Sequence, residues 1–233
     1  MSLTPTVAQV AACLDHAVLK PQQTETDLRK AAAMCIARGV GCLCVRPVDV
    51  GQAATLVLGS PVVVASVVGF PHGSHLAATK ATEAAAAIAD GARELDMVIS
   101  IGGLRAGNDD VVQADIAAVV TVARHARVLV KVILETCFLA PAEIARGCRL
   151  AEAAGADFVK TSTGFGSAGA TPEAVAIMLD TVGDRLGVKA SGGIRNWETC
   201  VGYLRMGCHR IGVGDAAAIL AGPSTSPTNT ADY

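Results

Sequence analysis

The chain has little aromatic surface, no sustained apolar run and no surplus of positive charge. One Trp, two Tyr and four Phe amount to 3% of 233 residues, too few for the stacking platforms that single-stranded nucleic acid requires. A formal net charge of -2 offers no cationic stripe to a phosphate backbone, so nucleic acid is not an expected partner. Hydrophobic residues reach 52% and charged residues only 17%, a balance that would suit a membrane protein if the apolar residues were contiguous. They are not. The longest stretch, 62–70, is broken by Ser66 and Gly69 and closed by Pro71, far short of the roughly 18 residues of a spanning helix. The opening Met1-Ser2-Leu3-Thr4-Pro5 has no basic segment followed by an apolar one, so the expectation is a protein without a secretory leader, cytoplasmic by default. Eight cysteines are scattered along the chain, several inside apolar runs. They read as reduced core thiols rather than a disulfide framework.

What is present is alternation. Short apolar runs at 13–19, 41–45, 62–69, 94–99, 128–135, 157–162, 188–191 and 210–212 read as strands. Between them, alanine-rich segments carrying charges, at 24–38, 75–90, 109–125, 141–154, 172–182 and 196–206, read as helices. Asn108, Thr171 before Pro172, and Asn196 have the chemistry of helix caps. Near-continuous apolar strands alternating with helices imply a parallel sheet covered on its outside. Eight such units in this length imply closure into a single-domain (β/α)8 barrel over 1–221. An open doubly wound sheet is the rival, weakened by the lack of a G-x-G-x-x-G after the first strand. The segment 222–233 is polar and rich in Pro, Ser and Thr, and is expected to be a mobile tail.

Two lysines end apolar runs and precede hydroxyl- and glycine-rich turns, in Phe158-Val159-Lys160-Thr161-Ser162-Thr163-Gly164 and Val188-Lys189-Ala190-Ser191-Gly192-Gly193. A buried ammonium loses solvation, and a second cation nearby penalises it further, so such a pair can hold one amine neutral and nucleophilic near pH 7. Either lysine alone could instead snorkel to water. In a barrel the active site lies at the carboxyl ends of the strands, which brings Asp15, Cys44, Asp96, Lys131 and Glu135 into the same neighbourhood. Desolvated charges are rarely left unpaired, so these groups are expected to meet one another. Asp96 among lysines could shuttle protons at a Schiff base or serve as a plain counterion. Asp15 could orient a lysine or cap a turn. The glycines after the last three strands, including Gly164, Gly192, Gly193, Gly212 and Gly214, with Ser191 and Arg195 nearby, could expose backbone N–H groups to an anion such as phosphate, or could simply satisfy loop geometry. His72 and His75 raise the idea of a divalent metal, but their spacing suits a loop better than a ligand set.

Taken together, Leu14-Asp15-His16, Val67-Val68-Gly69-Phe70-Pro71, Glu94-Leu95-Asp96-Met97-Val98-Ile99, Lys131-Val132-Ile133-Leu134-Glu135-Thr136 and the two lysine motifs through Phe165 and Arg195 closely resemble the deoxyribose-phosphate aldolases, in order from about residue 13 to residue 214. The resemblance implies a class I aldolase that needs no metal or other cofactor and reversibly cleaves 2-deoxy-D-ribose 5-phosphate to D-glyceraldehyde 3-phosphate and acetaldehyde. It implies Lys160 as the Schiff-base lysine, Lys189 as the cation that lowers its pKa, and Asp96 as the proton relay. Asp15, Lys131, Thr161 and Cys44 would support them, with Cys44 either an inert buried thiol or a pocket-facing one. Gly164, Gly192, Gly193, Arg195, Gly212, Gly214 and Asp215 would form or adjoin the phosphate loops, and Tyr233 would reach over the site from the tail. A homodimer is the implied assembly. The chain departs from the family pattern at Ala17, Ser100 and His72. It departs again at Arg210-Ile211-Gly212-Val213-Gly214-Asp215, where Asp215 is expected to weaken preference for the phosphorylated substrate. A different Schiff-base barrel aldolase, or a phospho-sugar-binding protein without turnover, are the alternatives.

Overall fold

A computed structural model describes residues 5–223. Eight parallel strands form a closed barrel in chain order. They are β1 (Leu14–Val18), β2 (Cys42–Val45), β3 (Val63–Val68), β4 (Glu94–Val98), β5 (Leu129–Ile133), β6 (Phe158–Lys160), β7 (Gly187–Ser191) and β8 (Arg210–Val213). Around them run α1 (Val7–Cys13), α2 (Glu25–Arg38), α3 (Val50–Leu56), α4 (Ala77–Ala89), α5 (Ile101–Arg105), α6 (Asp109–Ala126), α7 (Pro141–Ala153), α8 (Pro172–Val182), α9 (Trp197–Met206) and α10 (Ala216–Ile219). Pairing of Asp15 with Gly212 and of His16 with Val213 closes the ring, which removes any free sheet edge. No described helix is long and apolar enough to cross a membrane.

Side-chain alternation along each strand divides the apolar residues into two populations. Leu43, Val64, Leu95, Val130, Val132, Val159, Val188 and Ile211 point outward into the main core beneath the helices. The second cluster is small and lies in the barrel's lumen on the β1 to β3 side, where Cys42, Cys44, Ala65, Val67 and Leu19 pack with Ala17 and Phe70. The rest of the lumen is charged: Asp15, Glu94, Asp96, Lys131, Lys160 and Lys189 are all buried. Part of the barrel interior is therefore apolar and part ionic, with the three amines converging on Asp96.

The helices start where local chemistry allows. Thr171 accepts from the Ala174 N–H and Asn196 from the Thr199 N–H, each satisfying a donor that the first turn leaves free. Asn108 does not act as expected, since its side chain makes no cap hydrogen bond. The eight cysteines are free thiols.

Candidate active site

Register across β4 to β8 assembles the charged part. Asp96 pairs with Lys131 across β4 and β5, while Lys160 and Lys189 sit side by side on β6 and β7, with Arg210 next on β8. Asp96 is the hub. Its Oδ2 accepts from Lys160 Nζ at 2.6 Å and Lys189 Nζ at 2.7 Å, and its Oδ1 from Lys131 Nζ at 2.8 Å. Lys189 also donates to Asp15 Oδ2, whose other oxygen accepts from Arg210 Nε at 2.8 Å. Beneath them Glu94 meets Lys131 at 2.5 Å and Arg210 at 3.0 Å. A side chain on Gly212 would collide with Ser191 Cβ at 2.7 Å and approach Lys189 Cε at 3.3 Å, so the glycine gives the second lysine its room.

These contacts polarise the groups in opposite directions. Burial pushes Asp96 up, but Lys131, Lys160 and Lys189 outweigh it and hold the carboxyl well below its usual range. Burial likewise opposes ionisation of Asp15, which Lys189, Lys131 and Arg210 nevertheless bring down to about 2. Lys131 and Lys189 are held above the ordinary lysine range by their carboxylates against the effect of burial. Lys160 goes the other way: burial, with Lys189 alongside, lowers its pKa despite Asp96. Among the three lysines it alone is displaced toward the free amine. Cys44, 4.0 Å from Asp96 Oδ2, is pushed up to about 11 by burial and by that carboxylate, so near neutral pH it is a thiol rather than a reactive thiolate.

A cavity of about 570 Å³ opens above this cluster. Lys160, Lys189, Asp15 and Cys44 reach it from below, and Gly164, Gly192, Gly193, Arg195, Gly212, Gly214 and Asp215 line it at the ends of β6, β7 and β8. Asp96, Lys131 and Thr161 lie beneath the lining. Thr161 works on the backbone, donating to Ser191 O and accepting from the Ser191 N–H, both at 3.0 Å. Around the glycine loops, Gly169 and Gly192 pack backbone to backbone. Among the described residues, no protein acceptor meets the N–H groups of Gly164, Gly192, Gly193 or Gly214, which is the condition for an anion-binding concavity. Asp215 caps α10, accepting from the Ala218 N–H at 3.1 Å, and also borders the cavity. His16 fixes the same corner, its Nδ1 accepting from the Ala216 N–H at 3.3 Å. Tyr233 lies outside the described residues.

Some expected placements differ. Glu135 does not join the amine cluster. It stands just past β5 with φ 58, and its buried carboxylate turns to accept from the Thr163 N–H at 3.3 Å and from the Thr163 hydroxyl, anchoring the loop after Lys160. His72 and His75 are exposed on the loop before α4. A buried trio with metal-like spacing, Asp15, Cys42 and Glu94, belongs instead to the ion-pair cluster, its carboxylates bridged by Lys131, Lys189 and Arg210.

Four residues of the site have no role assigned from the sequence. Glu94 and Arg210, quoted above only as members of longer motifs, complete the buried network, a role created by strand register. Lys20 and Gln23 line the cavity from the loop after β1. That loop is held by Arg46, which donates to the carbonyls of Lys20, Pro21 and Gln23 at 3.1–3.3 Å and is itself held by Asp49 at 2.6 Å. Lys20 and Arg195 have no carboxylate partner among the described residues, so the cavity carries two uncommitted cations at its rim.

Residues 9–212 match the family described as DeoC/LacD family aldolase. A deoxyribose-phosphate aldolase from Geobacillus sp. (strain WCH70) is 46% identical over 217 residues, covering 93% of this chain and 97% of the relative. Deoxyribose-phosphate aldolase 2 of Bacillus licheniformis is 48% identical over 213 residues, 91% of this chain and 95% of the relative. The solved structure of a tetrameric deoxyribose phosphate aldolase from Aeropyrum pernix superposes with a TM-score of 0.87 at 30% identity, over 93% of this chain and 91% of that one. With this barrel, and with a lysine at the end of β6 displaced toward its free amine beneath an open cavity, the chain belongs to the DeoC/LacD aldolase family.

Proposed function

We propose that the protein reversibly cleaves 2-deoxy-D-ribose 5-phosphate to D-glyceraldehyde 3-phosphate and acetaldehyde through an imine on Lys160. One observation carries this: of three lysines bonded to Asp96, Lys160 meets no other carboxylate among the described residues and faces the cavity. The Lys160 amine adds to the C1 aldehyde of the open-chain sugar, and loss of water gives an iminium. Removal of the C3 hydroxyl proton breaks the C2–C3 bond, its electron pair flowing to the iminium nitrogen. Glyceraldehyde 3-phosphate leaves, the enamine takes a proton at carbon, and hydrolysis releases acetaldehyde and the free lysine. Asp96 and Lys189, both bonded to or adjoining the reacting nitrogen, are the groups placed to move these protons. The apolar wall of Ala17, Leu19 and Cys44 suits the two-carbon fragment. The glycine loops with Arg195 and Lys20 suit the phosphate.

The proposal extends to a cytoplasmic homodimer acting without a metal. The names of the relatives support the substrate, and the tetramer of the Aeropyrum pernix relative supports self-assembly of the fold. The test is cleavage of deoxyribose 5-phosphate and of deoxyribose, side by side, with EDTA present. Stoichiometric acetaldehyde from the phosphorylated sugar supports the reading. A chain that binds the sugar phosphate without releasing acetaldehyde is a binding protein, and the reading falls.

A further inference from the structure

The buried charges of the lumen do not balance. Among the described residues, the ionisable groups that face the Lys160 cluster are Asp15 on β1, the thiols of Cys42 and Cys44 on β2, Glu94 and Asp96 on β4, Lys131 on β5, Lys189 on β7 and Arg210 on β8, with the Cys13 thiol at the end of α1 beside Arg210 and Asp15, while β3 offers only Ala65 and Val67. All three thiols are pushed up, chiefly by burial, with Asp15 adding to it for Cys42 and Asp96 for Cys44, so they stay neutral. Three carboxylates then face four nitrogen bases. An uncompensated charge is costly in a buried cluster, so one base gives up its proton. Partners decide which. Lys131 touches Asp15, Glu94 and Asp96; Lys189 touches Asp15 and Asp96; Arg210 touches Asp15 and Glu94; Lys160 touches Asp96 alone.

Building on the assignment of Lys160 as the imine-forming lysine, we propose that Arg210 and Glu94 are positioning residues for this reaction: lying below the cavity and out of contact with substrate, they set the charge count that leaves Lys160 as the neutral amine. They act through their neighbours. Arg210 occupies Asp15 Oδ1, so Asp15 does not lean wholly on Lys189 and Lys131, and those two stay committed to Asp96. Remove the guanidinium, and three carboxylates face three lysines, so Lys160 keeps its proton. Remove the charge of Glu94, and two carboxylates face four bases, so Lys160 releases its proton more readily.

Imine formation needs the free amine, so its rate rises with pH through the titration of Lys160. Arg210→Met should move this rise to higher pH and Glu94→Gln to lower pH, each by about half to one pH unit, equal to roughly three- to tenfold in rate on the rising limb. The double variant Arg210→Met/Glu94→Gln restores the balance and should return the rise close to its native position, as should Arg210→Lys alone. A purely structural role predicts lost stability with neither opposed shifts nor cancellation. The measurement is the rate of ethyl-group incorporation at Lys160 from acetaldehyde and cyanoborohydride across pH, read by peptide mass in the full chain. Opposed shifts that cancel in the double variant support the proposal. Shifts in the same direction, or an unmoved rise in a folded Glu94→Gln chain, overturn it, and the latter decides the matter even where Arg210→Met fails to fold. Absence of label on Lys160 in the native chain overturns the assignment of that lysine as well; label with an unmoved rise overturns this proposal alone.

Discussion

Lys189→Met isolates the electrostatic part of the site. Methionine keeps the length of the lysine stem in the space that Gly212 leaves for it and removes only the cation and its hydrogen bonds. Lys160 and Lys189 bond the same oxygen, Asp96 Oδ2, at 2.6 and 2.7 Å. Their nitrogens therefore lie at most about 5 Å apart, a repulsion of about 3 kcal/mol at an effective dielectric of about 20, or roughly 2 pH units. The substitution also leaves Asp96 with two lysines instead of three, which tightens its hold on the Lys160 proton. Both effects raise the Lys160 pKa. Relaxation of Asp15 and Asp96, which lose a cation, reduces the net shift to about one pH unit or more. The rise of imine trapping with pH should move up by that amount, leaving the rate near neutral pH at least about tenfold lower. The assay is acetaldehyde trapping followed over pH, with circular dichroism to confirm the fold. A folded variant whose rise stays in place, or moves to lower pH, would show that Lys189 does not tune Lys160.

Other outcomes are expected. Lys160→Leu should abolish cleavage of deoxyribose 5-phosphate while leaving a folded barrel, since Lys189 beside it is displaced away from its free amine; retained turnover excludes the imine assignment. Asp215→Ser keeps a hydroxyl able to cap the Ala218 N–H but removes a negative charge at the cavity, so KM should fall for deoxyribose 5-phosphate and not for deoxyribose; equal responses place Asp215 away from the phosphate. Asp15 carries a pKa of about 2 when folded against about 4 when unfolded, so its ion pairs contribute about 2 kcal/mol above pH 4, lost as pH falls toward 2. Acid titration of Asp15→Asn should therefore show a shallower loss of stability in that window, and an unchanged slope would count against the pairing. Deleting Tyr233 should slow proton exchange at acetaldehyde carbon more than it lowers Tm; unchanged exchange would retire a role for the terminal phenol.

The parallel barrel was legible because strands buried on both faces are nearly continuous apolar runs, and all eight are present within a few residues of their expected bounds. The helices α1, α3 and α5 were not. Val7–Cys13 is seven residues long and meets the apolar run 13–19 at Cys13, Val50–Leu56 has a glycine at its second position, and Ile101–Arg105 holds two glycines. Such short segments lack the periodicity that marks longer helices, and packing decides them. Lys160, Lys189 and Asp96 were readable because charge inside an apolar run demands a partner. Glu135 met the same criterion and was misplaced, because its left-handed backbone rotates the side chain toward Thr163, which spacing along a strand does not encode. Lys20 left no signal, as an exposed lysine in a loop is ordinary until Arg46 is seen to hold that loop against the cavity.

The central claim is that Lys160, and not its neighbour Lys189, carries the substrate carbon. Treating the full chain with acetaldehyde and borohydride at neutral pH, digesting it and sequencing the peptides by mass spectrometry reads this directly. An ethyl group on Lys160 with Lys189 and Lys131 unmodified is the predicted result. An ethyl group on Lys189, or none on any lysine of the barrel, would contradict the account.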